Sequence, residues 1–254
     1  DGLTTAATDL LSITLGEQTT TAAQLNTLNG KTGSNINAEA VTGVSGDSTD
    51  FATLIGNEGG TGNKVSLDGN YTVTVDDTGT VLASTLVAIN ANTEGLVTTT
   101  AAATISGGTD DVLSVVNAYG DSGDKINYTK TGDSAVALTV TGDGETVTVD
   151  QANTLGSGTA GIVTATISNT AIGDFDGLTT AATDLLSITL GAQETTAVKL
   201  TTLDGKTGIN INAEAVTLVT GTASAIETLI DAEHDSNNGV NLAGDVAITV
   251  DTTD

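Results

Sequence analysis

Apolar and polar residues follow two different periods along this chain. In some stretches Leu, Ile or Val recur at every third or fourth position, which is typical of short helices. In others apolar and polar residues alternate strictly, as in 70–77, where Tyr71, Val73 and Val75 share one face. This second period predicts half-buried strands. Strands and helices alternate in units of roughly 25–30 residues, which favours a mostly parallel sheet connected by crossovers.

Two kinds of short helix are predicted. The first contains the spacing Leu-x-x-Leu, and in its first occurrence Thr20 or Thr21 is a candidate N-cap and Gly30 a candidate C-terminal residue. The second kind follows the first and begins near Ser or Thr, at Ser48–Ile55, Thr109–Val116 and Thr222–Ile230. Two turns of helix are marginal alone, so we expect packing to hold them.

Further strands are predicted at Ile36–Val44, Leu96–Ile105, Ala135–Asp150 and Ile162–Ile167. Within the third of these, the turn Gly142-Asp143-Gly144 separates two alternating runs. A tight glycine-containing turn between such runs predicts a β-hairpin.

The chain also repeats itself over a long period. Residues 1–79 align without a gap to residues 176–254, and 49 of the 79 pairs are identical. We therefore divide the chain into one full repeat, 1–175, and the start of the next, 176–254. Arrays of like units gain stability by stacking, so we expect the chain to be a segment of a much longer repetitive protein.

A finer, degenerate repeat lies inside the long one. The stretch at Thr21–Ala38 recurs at Leu82–Thr99, Val149–Ala165 and Thr196–Ala213, which gives sub-repeats of about 61, 66 and 48 residues. We expect the corresponding residues of the four copies to occupy equivalent buried positions; these are Leu25, Leu86, Ala152 and Leu200. The fold we predict is a β-rich repeat solenoid of mostly parallel strands with short intervening helices. The alternative is a row of small α+β beads.

The composition limits which side chains can form the core and which kinds of partner can bind. The chain lacks Cys, Met, Trp, Pro and Arg, so its interior depends on Val, Leu, Ile, Ala and Thr methyl groups, which fill a thin layered core well. With 32 acids against 6 Lys, its net charge is −26. Nucleic acids and anionic membrane surfaces are unsuited partners for such a chain, and no stretch is apolar enough to insert into a membrane. Without Cys there are no disulfides and no thiol chemistry.

Catalysis has little support in the sequence, and we expect no enzyme. The single histidine, His234, is interpreted as a solvated surface residue, because no catalytic motif accompanies it. Calcium is the favoured chemical hypothesis, since Ca²⁺ binds oxygen ligands that often lie in glycine-rich turns. The candidate ligands are Asp143, Glu145, Asp174 and Asp176. Weaker candidate turns contain Asp76-Asp77, Asp110-Asp111, and Asp121 with Asp124.

Two kinds of ligand-binding surface are the alternative function. The longest sub-repeat has additional residues at 120–144, and repeat insertions often form interaction loops. A groove lined by Tyr119 and Tyr128 would favour a glycan ligand. Paired threonines on a flat face would favour ice, and Thr-x-Thr pairs occur at Thr72/Thr74, Thr98/Thr100, Thr139/Thr141, Thr146/Thr148 and Thr164/Thr166.

Several phrases of the chain resemble known repeats. TTAAQLNTLNGKTGSNINAEAVT, TTAVKLTTLDGKTGININAEAVT and VDQANTLGSGTAGIVTATIS are similar to the repeats of very large cell-surface and secreted proteins of marine cyanobacteria. The likeness is one of repeat style and covers most of the chain. It implies an extracellular structural or adhesive role, and it implies no catalytic residue.

These observations predict an extracellular or cell-surface structural array, such as a fibre, a surface layer or an adhesin stalk. Each repeat unit should cover the apolar face of its neighbour. We therefore expect uncovered faces at both ends of this segment, at Thr4–Leu15 and Val240–Val250. Since the two faces differ, we expect self-association by head-to-tail contact, in which the covering unit is either more repeat of the same chain or the next subunit of a fibre. Such contacts form open filaments when the rotation does not close.

Overall fold

The computed structural model describes residues 3–59, 62, 64–120, 125–233 and 239–251. The chain divides into two compact units, Asp1–Val136 and Ala137–Asp254, here called unit 1 and unit 2. Each unit combines short strands with short helices.

The described part of unit 1 contains ten strands and four helices. The strands are β1 (Ile13–Thr14), β2 (Gln18–Thr21), β3 (Ile36–Ala38), β4 (Val41–Gly46), β5 (Val65–Leu67), β6 (Thr72–Val75), β7 (Thr80–Leu82), β8 (Val97–Thr98), β9 (Thr104–Gly107) and β10 (Ile126–Asn127). The helices are α1 (Ala22–Asn29), α2 (Ser48–Gly59), α3 (Ala83–Ala91) and α4 (Thr109–Asn117).

The described part of unit 2 contains eight strands, three α-helices and one 3-10 helix. The strands are β11 (Ala137–Val140), β12 (Val163–Thr166), β13 (Leu185–Ser187), β14 (Glu194–Thr196), β15 (Ile211–Ala213), β16 (Leu218–Gly221), β17 (Val240–Leu242) and β18 (Ala247–Val250). The helices are α5 (Val149–Gly158), the 3-10 helix (Ile172–Gly177), α6 (Ala197–Asp204) and α7 (Ala223–Glu233).

The strands pair in parallel wherever their register is defined. In unit 1 the strand orders are β1-β3-β5 and β2-β4-β6-β8-β10, with β7 beside β9. In unit 2 they are β11-β12-β13 and β14-β16-β18, with β15 beside β17. The chain crosses between neighbouring strands through the helices, as parallel pairing requires. The predicted α/β arrangement of mostly parallel sheets with short helices is confirmed.

Threonine caps and one buried position define the Leu-x-x-Leu helices. Thr21 caps α1 and forms a capping box with Gln24, and Gly30 is the C-cap, as predicted. Threonines also cap α5 and α6, whereas α3 begins without a side-chain cap. The four residues expected to be equivalent are each the fourth residue of their helix and 0% exposed: Leu25, Leu86, Ala152 and Leu200. The apolar period therefore directs the same helix position into the core each time.

A glycine at the end of a strand lets the preceding helix approach closely in three places. The first residue of the helix is a buried alanine, and a Cβ added to the glycine would crowd it. The pairs are Gly46 with Ala22, Gly107 with Ala83 and Gly221 with Ala197, at 3.4, 3.2 and 3.3 Å from the added Cβ to the alanine Cβ. Small residues on both sides thus set the distance between helix and sheet.

A buried threonine after the helix ties successive turns of chain together; we call it the threonine clip, formed by Thr32, Thr93 and Thr207. The Thr207 hydroxyl lies within hydrogen-bonding distance of the carbonyls of Asp184 (3.2 Å) and Leu186 (3.0 Å) and accepts the Leu186 N–H (3.0 Å). Thr32 and Thr93 contact backbone groups more than twenty residues earlier in the same way. The threonine shared by the sub-repeats is therefore a cross-link between segments.

Two long predicted strands are each divided. Ile36–Val44 contains β3 and β4 with a turn at Glu39, where Asn37 Oδ1 accepts the Glu39 N–H (3.1 Å). Leu96–Ile105 contains β8 and β9. In the first case a local side-chain acceptor stabilises the turn in place of a continuous strand. The alternating pattern of apolar and polar residues does not reveal this competition between turn and strand.

The predicted hairpin at Ala135–Asp150 is wrong. Residues after the glycine turn do not return along β11; Val147 forms a parallel bridge with Ile167, and Val149 begins α5. Both valines are buried, so the alternating pattern reported burial correctly but not the pairing partner. Parallel pairing to a later segment took the place of the local hairpin.

The second kind of helix occurs as predicted at α2, α4 and α7, with one difference in capping. Thr222 accepts the Ala225 N–H, whereas the N-cap of α4 is Gly108, without a side-chain cap bond. After α5 the 3-10 helix occupies the corresponding place in the order of elements.

Candidate assembly faces

Identical sequences at the start of the two long repeats differ in burial. Leu3 is 42% exposed while its counterpart Leu178 is 3% exposed, and Leu10 is 79% exposed while Leu185 is 36% exposed. Three further apolar residues of the first copy are half-buried, and their counterparts in the second copy are fully buried; the pairs are Leu11/Leu186, Ile13/Ile188 and Leu15/Leu190. We call residues 3–15 the N-terminal face.

The difference follows from what lies beside each copy. In unit 2, β12 pairs in parallel with β13, with Thr164 opposite Leu185 and Thr166 opposite Ser187. In unit 1 residues 10–12, which have the same sequence as β13, form no strand, and β1 is the edge of its sheet among the described residues. A strand partner therefore decides both the secondary structure and the burial of one sequence.

A second uncovered surface lies at β18, and we call Ala247–Val250 the C-terminal face. Ile248 is 45% exposed and Val250 is 47% exposed, while their counterparts in β6, Val73 and Val75, are each 1% exposed. β6 lies between β4 and β8, whereas β18 pairs with β16 alone among the described strands. An apolar strand with an open edge is a template for pairing with another chain.

The predicted C-terminal face was too long. Val240 and Leu242 are buried in β17, so the uncovered part is confined to β18. The pairing of β17 with β15 accounts for this, because it places Val240 opposite Ile211.

The four predicted calcium ligands lie in two exposed turns. Asp143 lies between Gly142 and Gly144, whose φ values of +140° and +77° are in the left-handed region, and Glu145 follows. Left-handed backbone at both glycines makes this turn specific to glycine. Nothing in this turn brings a third acid to the pair, since no group of three His, Asp or Glu side chains suited to a metal ion occurs within the described ranges.

Asp174 and Asp176 lie in the 3-10 helix and already have partners. The Asn169 amide donates to Asp174 (3.3 Å), and Lys199 Nζ donates to both carboxylate oxygens of Asp176 (3.1 and 3.0 Å). Asp176, Lys199 and Phe175 are among the residues that line a cleft of about 340 Å³. This cleft was not predicted, because the lysine and the acid are 23 residues apart.

The weaker acidic candidates have structural roles or lie elsewhere. Asp77 accepts the Ser48 N–H (2.7 Å) and so binds the first residue of α2, and Asp110 and Asp111 occupy the first turn of α4. Acids at helix N-termini are stabilised by the helix dipole. His234, Asp121 and Asp124 lie outside the described residues.

The tyrosines of the insertion pack against each other. Tyr119 and Tyr128 have ring centroids 4.8 Å apart at a tilt of 54°, and Lys130 Nζ lies 5.1 Å from the Tyr119 ring centroid. Burial, with a smaller contribution from Tyr119, raises the pKa of Tyr128 to about 12. Because Tyr128 is buried, its ring is not available as a platform for a sugar, and the two rings do not form the glycan groove considered above.

Polar side chains form rows across the sheets, and all members of these rows carry a hydroxyl except Asn127, which carries an amide. One row in unit 1 joins positions of β2, β4, β6, β8 and β10, and one in unit 2 joins β14, β16 and β18; they are Thr21-Ser45-Thr74-Thr98-Asn127 and Thr196-Thr220-Thr249. Gly43 interrupts the next row of unit 1, between Thr19 and Thr72. The paired threonines of these sheets therefore lie in rows that run across the strands.

One titratable pair was missed by the sequence reasoning. The Tyr71 hydroxyl donates to Glu58 Oε2 (3.4 Å), joining α2 to the chain before β6. Burial raises the pKa of Glu58 to about 7, and the Tyr71 hydrogen bond offsets part of this shift. The pKa of Tyr71 is also raised, by burial first and then by the charge of Glu58. No local pattern links these residues, because the contact depends on the packing of the helix.

Comparisons with protein-family models, with curated proteins and with solved structures found no match. Within the described ranges, no helix has the length and apolar character needed to cross a membrane.

Proposed function

We propose that this chain is part of an extracellular structural array, a fibre, surface layer or adhesin stalk, that acts through length and self-association. The observation that carries the proposal is the unequal burial of identical residues. Leu178, Leu186, Ile188 and Leu190 are buried in unit 2, while their counterparts Leu3, Leu11, Ile13 and Leu15 are exposed or half-buried. In an array of repeats each unit covers a face of its neighbour. A face that is covered in one copy and uncovered in another copy is therefore typical of such an array.

Stacking within each unit supports a solenoid as the finer description of the fold. Successive strands of each sheet come from successive repeats of the strand and helix pattern, and neighbouring helices pack side by side, α1 on α2 and α6 on α7. The threonine clip joins a turn of chain to the one before it at three places, Thr32, Thr93 and Thr207. The alternative, a row of separate beads, would bury its apolar residues within each bead and would not need clips between turns.

The surface chemistry agrees with an extracellular role. A net charge of −26 keeps an array soluble and repels nucleic acids and anionic lipid. Such a charge favours divalent cations, and we retain calcium at Asp143 and Glu145 and at Asp174 and Asp176 as part of the proposal. The resemblance of the repeats to those of giant cyanobacterial surface proteins points to the same location.

The partner we propose is a second copy, bound with the C-terminal face of one chain against the N-terminal face of the next. Both faces carry exposed apolar residues, Leu3 and Leu10 on one and Ile248 and Val250 on the other. Because the faces are unlike, the contact is heterologous. Successive copies then form an open filament, unless the rotation between neighbouring copies closes them into a ring.

Sedimentation and electron microscopy over a concentration series test the proposal with two face variants. Leu10→Asp changes the N-terminal face, and the double change Ile248→Asp and Val250→Asp changes the C-terminal face. Val198→Asp is the matched control, because Val198 is 58% exposed on α6 and belongs to neither face. We expect the wild type and the control to form oligomers of increasing length and each face variant alone to remain monomeric.

Mixing the two face variants distinguishes head-to-tail contact from other modes of association. Each variant retains one intact face, so the mixture should form a one-to-one dimer and nothing longer. A wild type that is monomeric at all concentrations, or a mixture that forms no dimer, would contradict the proposed assembly.

A further inference from the structure

The segment that covers residues 184–193 in unit 2 is held by a specific set of hydrogen bonds. The Val163 N–H donates to Asp184 Oδ1 (2.8 Å) and the Ile167 N–H donates to the Ser187 carbonyl (2.9 Å). Further along, the Gly191 N–H donates to the Thr170 carbonyl (2.9 Å). These bonds place the covering segment parallel to residues 184–191.

The Gln193 side chain completes this set. Its amide oxygen accepts the Ile172 N–H (2.8 Å), and its amide nitrogen donates to the Thr170 carbonyl (2.9 Å). A side-chain amide that accepts from one N–H and donates to one carbonyl of the same backbone segment makes the bonds that an additional strand residue would make. The covering segment is therefore bound along its length, from Val163 to Ile172.

The N-terminal face of unit 1 and the three residues that follow it carry the same groups. The residues equivalent to Asp184, Ser187, Gly191 and Gln193 are identical in type: Asp9, Ser12, Gly16 and Gln18. The positions around them are also preformed. The Ala6 N–H donates to Asp9 Oδ2 (3.0 Å), as the Ala181 N–H does to Asp184 Oδ2 (3.0 Å).

The backbone of the N-terminal face is held in place by its own clip. The Leu11 N–H donates to the Thr32 hydroxyl (3.0 Å), as the Leu186 N–H does to the Thr207 hydroxyl (3.0 Å). The N-terminal face thus has the conformation that binds a strand in unit 2. What it lacks is the strand, since no described segment pairs with residues 10–12 as β12 pairs with β13.

We infer that the N-terminal face is an acceptor for one segment, a repeat coil with the sequence of residues 161–176 supplied by another copy of this repeat. The segment adds as a parallel strand with Thr164 opposite Leu10 and Ala165 opposite Leu11, and its Ile172 N–H binds the Gln18 side chain. This inference rests on the proposed array, because it names the part of a neighbouring repeat that covers this face.

The last coil of unit 2 is a less well matched occupant. Residues 239–251 correspond to residues 64–76 of the first repeat, and β6 in that segment pairs with β8 rather than with β1. Apolar contact alone would let either coil associate with the N-terminal face. The C-terminal face in the proposed head-to-tail contact therefore binds through apolar contact alone, whereas the segment of residues 161–176 also bonds to the side chains of Asp9 and Gln18 and binds the same face more tightly.

The test uses the full chain and two synthetic peptides with a fluorescent label, one with residues 161–176 and one with residues 239–251. Binding is measured by anisotropy. We expect the first peptide to bind at least tenfold more tightly than the second and than a scrambled version of itself. Equal affinities for the three peptides, or no binding of the first, would overturn the inference.

Three further measurements test the site and the orientation. Leu11→Asp should abolish binding and Val198→Asp should leave it unchanged, with circular dichroism used to check that each variant is folded. On the wild-type chain, a peptide with an N-methyl group at Ile167 should bind at least tenfold more weakly, because it lacks the donor for the Ser12 carbonyl. A spin label at the amino end of the peptide should broaden the amide signal of Asp9, and a label at the carboxyl end that of Gln18; the reverse result would refute parallel addition.

The chain with the double change Ile248→Asp and Val250→Asp separates this inference from the proposed function. It should not form filaments, yet it should bind the peptide with unchanged affinity. Loss of peptide binding there would sink the inference, whereas a wild type that binds the peptide but never oligomerises would refute only the proposed self-assembly.

Discussion

Removing the hydroxyl of a threonine clip should lower the free energy of unfolding by an amount that can be worked out from the structure. The same change can be made at the equivalent threonine of each long repeat, and the two losses can be compared. Thr207→Val keeps the shape of the side chain and removes its hydroxyl. The Leu186 N–H then loses its acceptor (3.0 Å), and the carbonyl of Leu186 or Asp184 loses its donor. Each buried polar group left without a partner costs about 1–3 kcal/mol, so for these two groups we expect a loss of about 2–6 kcal/mol in the free energy of unfolding of unit 2.

Thr32→Val is the matched control, because it removes the same hydroxyl from the same sequence. Thr32 contacts the Leu11 N–H (3.0 Å) and carbonyl (2.7 Å). Leu11 is only half-buried, so water can replace the lost partners, and we expect a loss of about 1 kcal/mol.

Residue-resolved amide hydrogen exchange is the suitable assay, because a chain with two units need not unfold in one step. The free energies of opening are compared for the same amides in the wild type and in each variant. Equal losses for Thr207→Val and Thr32→Val, or a loss below about 1 kcal/mol for Thr207→Val, would refute the argument that the covering strand makes this hydroxyl essential.

Three other outcomes are expected. Gly95→Ala should destabilise unit 1 by about 3 kcal/mol or more in urea unfolding, since its Cβ would overlap the Tyr71 carbonyl, while Gly69→Ala, with open space around it, should be close to neutral. The pKa of Glu58 rises on folding from 4.5 to about 7, so its contribution to the free energy of unfolding is fully present below pH 4.5 and is lost as the pH rises through 7; the wild type should therefore lose stability relative to Glu58→Gln between pH 5 and 8. Glu17→Gln, which removes an exposed carboxylate, should leave the pH dependence of stability unchanged. If the stabilities of the wild type and Glu58→Gln change with pH in the same way, the reasoning is wrong. If the acidic turns bind calcium, a hundredfold excess over Kd should add about 2.7 kcal/mol, and a melting temperature that is the same in chelator and in millimolar calcium would remove calcium from the proposal.

Much of the local structure was predictable because it depends on contacts within a few residues. The alternation around β6 correctly placed Tyr71, Val73 and Val75 on the buried face. The Leu-x-x-Leu spacing identified the buried fourth residue of four helices, and Thr21 caps α1 as its sequence context indicated. In each case the period of the side chains, or a bond spanning three residues, carries the information.

Strand pairing was less predictable because it depends on distant segments. The glycine turn at Gly142–Gly144 suggested a hairpin, but Val147 pairs with Ile167 instead. Likewise the cleft formed by Asp176 and Lys199 and the contact of Glu58 with Tyr71 join residues from different elements. A single sequence contains no local signal for such partners.

The sequence by itself determined where the α-helices form, which residues of strands and helices are apolar and face the core, and that the pattern recurs. Only the tertiary structure decided which of two identical segments is a covered strand and which is an open face. Leu10–Ser12 and Leu185–Ser187 have the same residues, yet only the second forms a strand, because only it lies beside β12. A β-strand is completed by hydrogen bonds to a neighbour, so the neighbour's presence, and not the segment's own side chains, settles its structure and its burial.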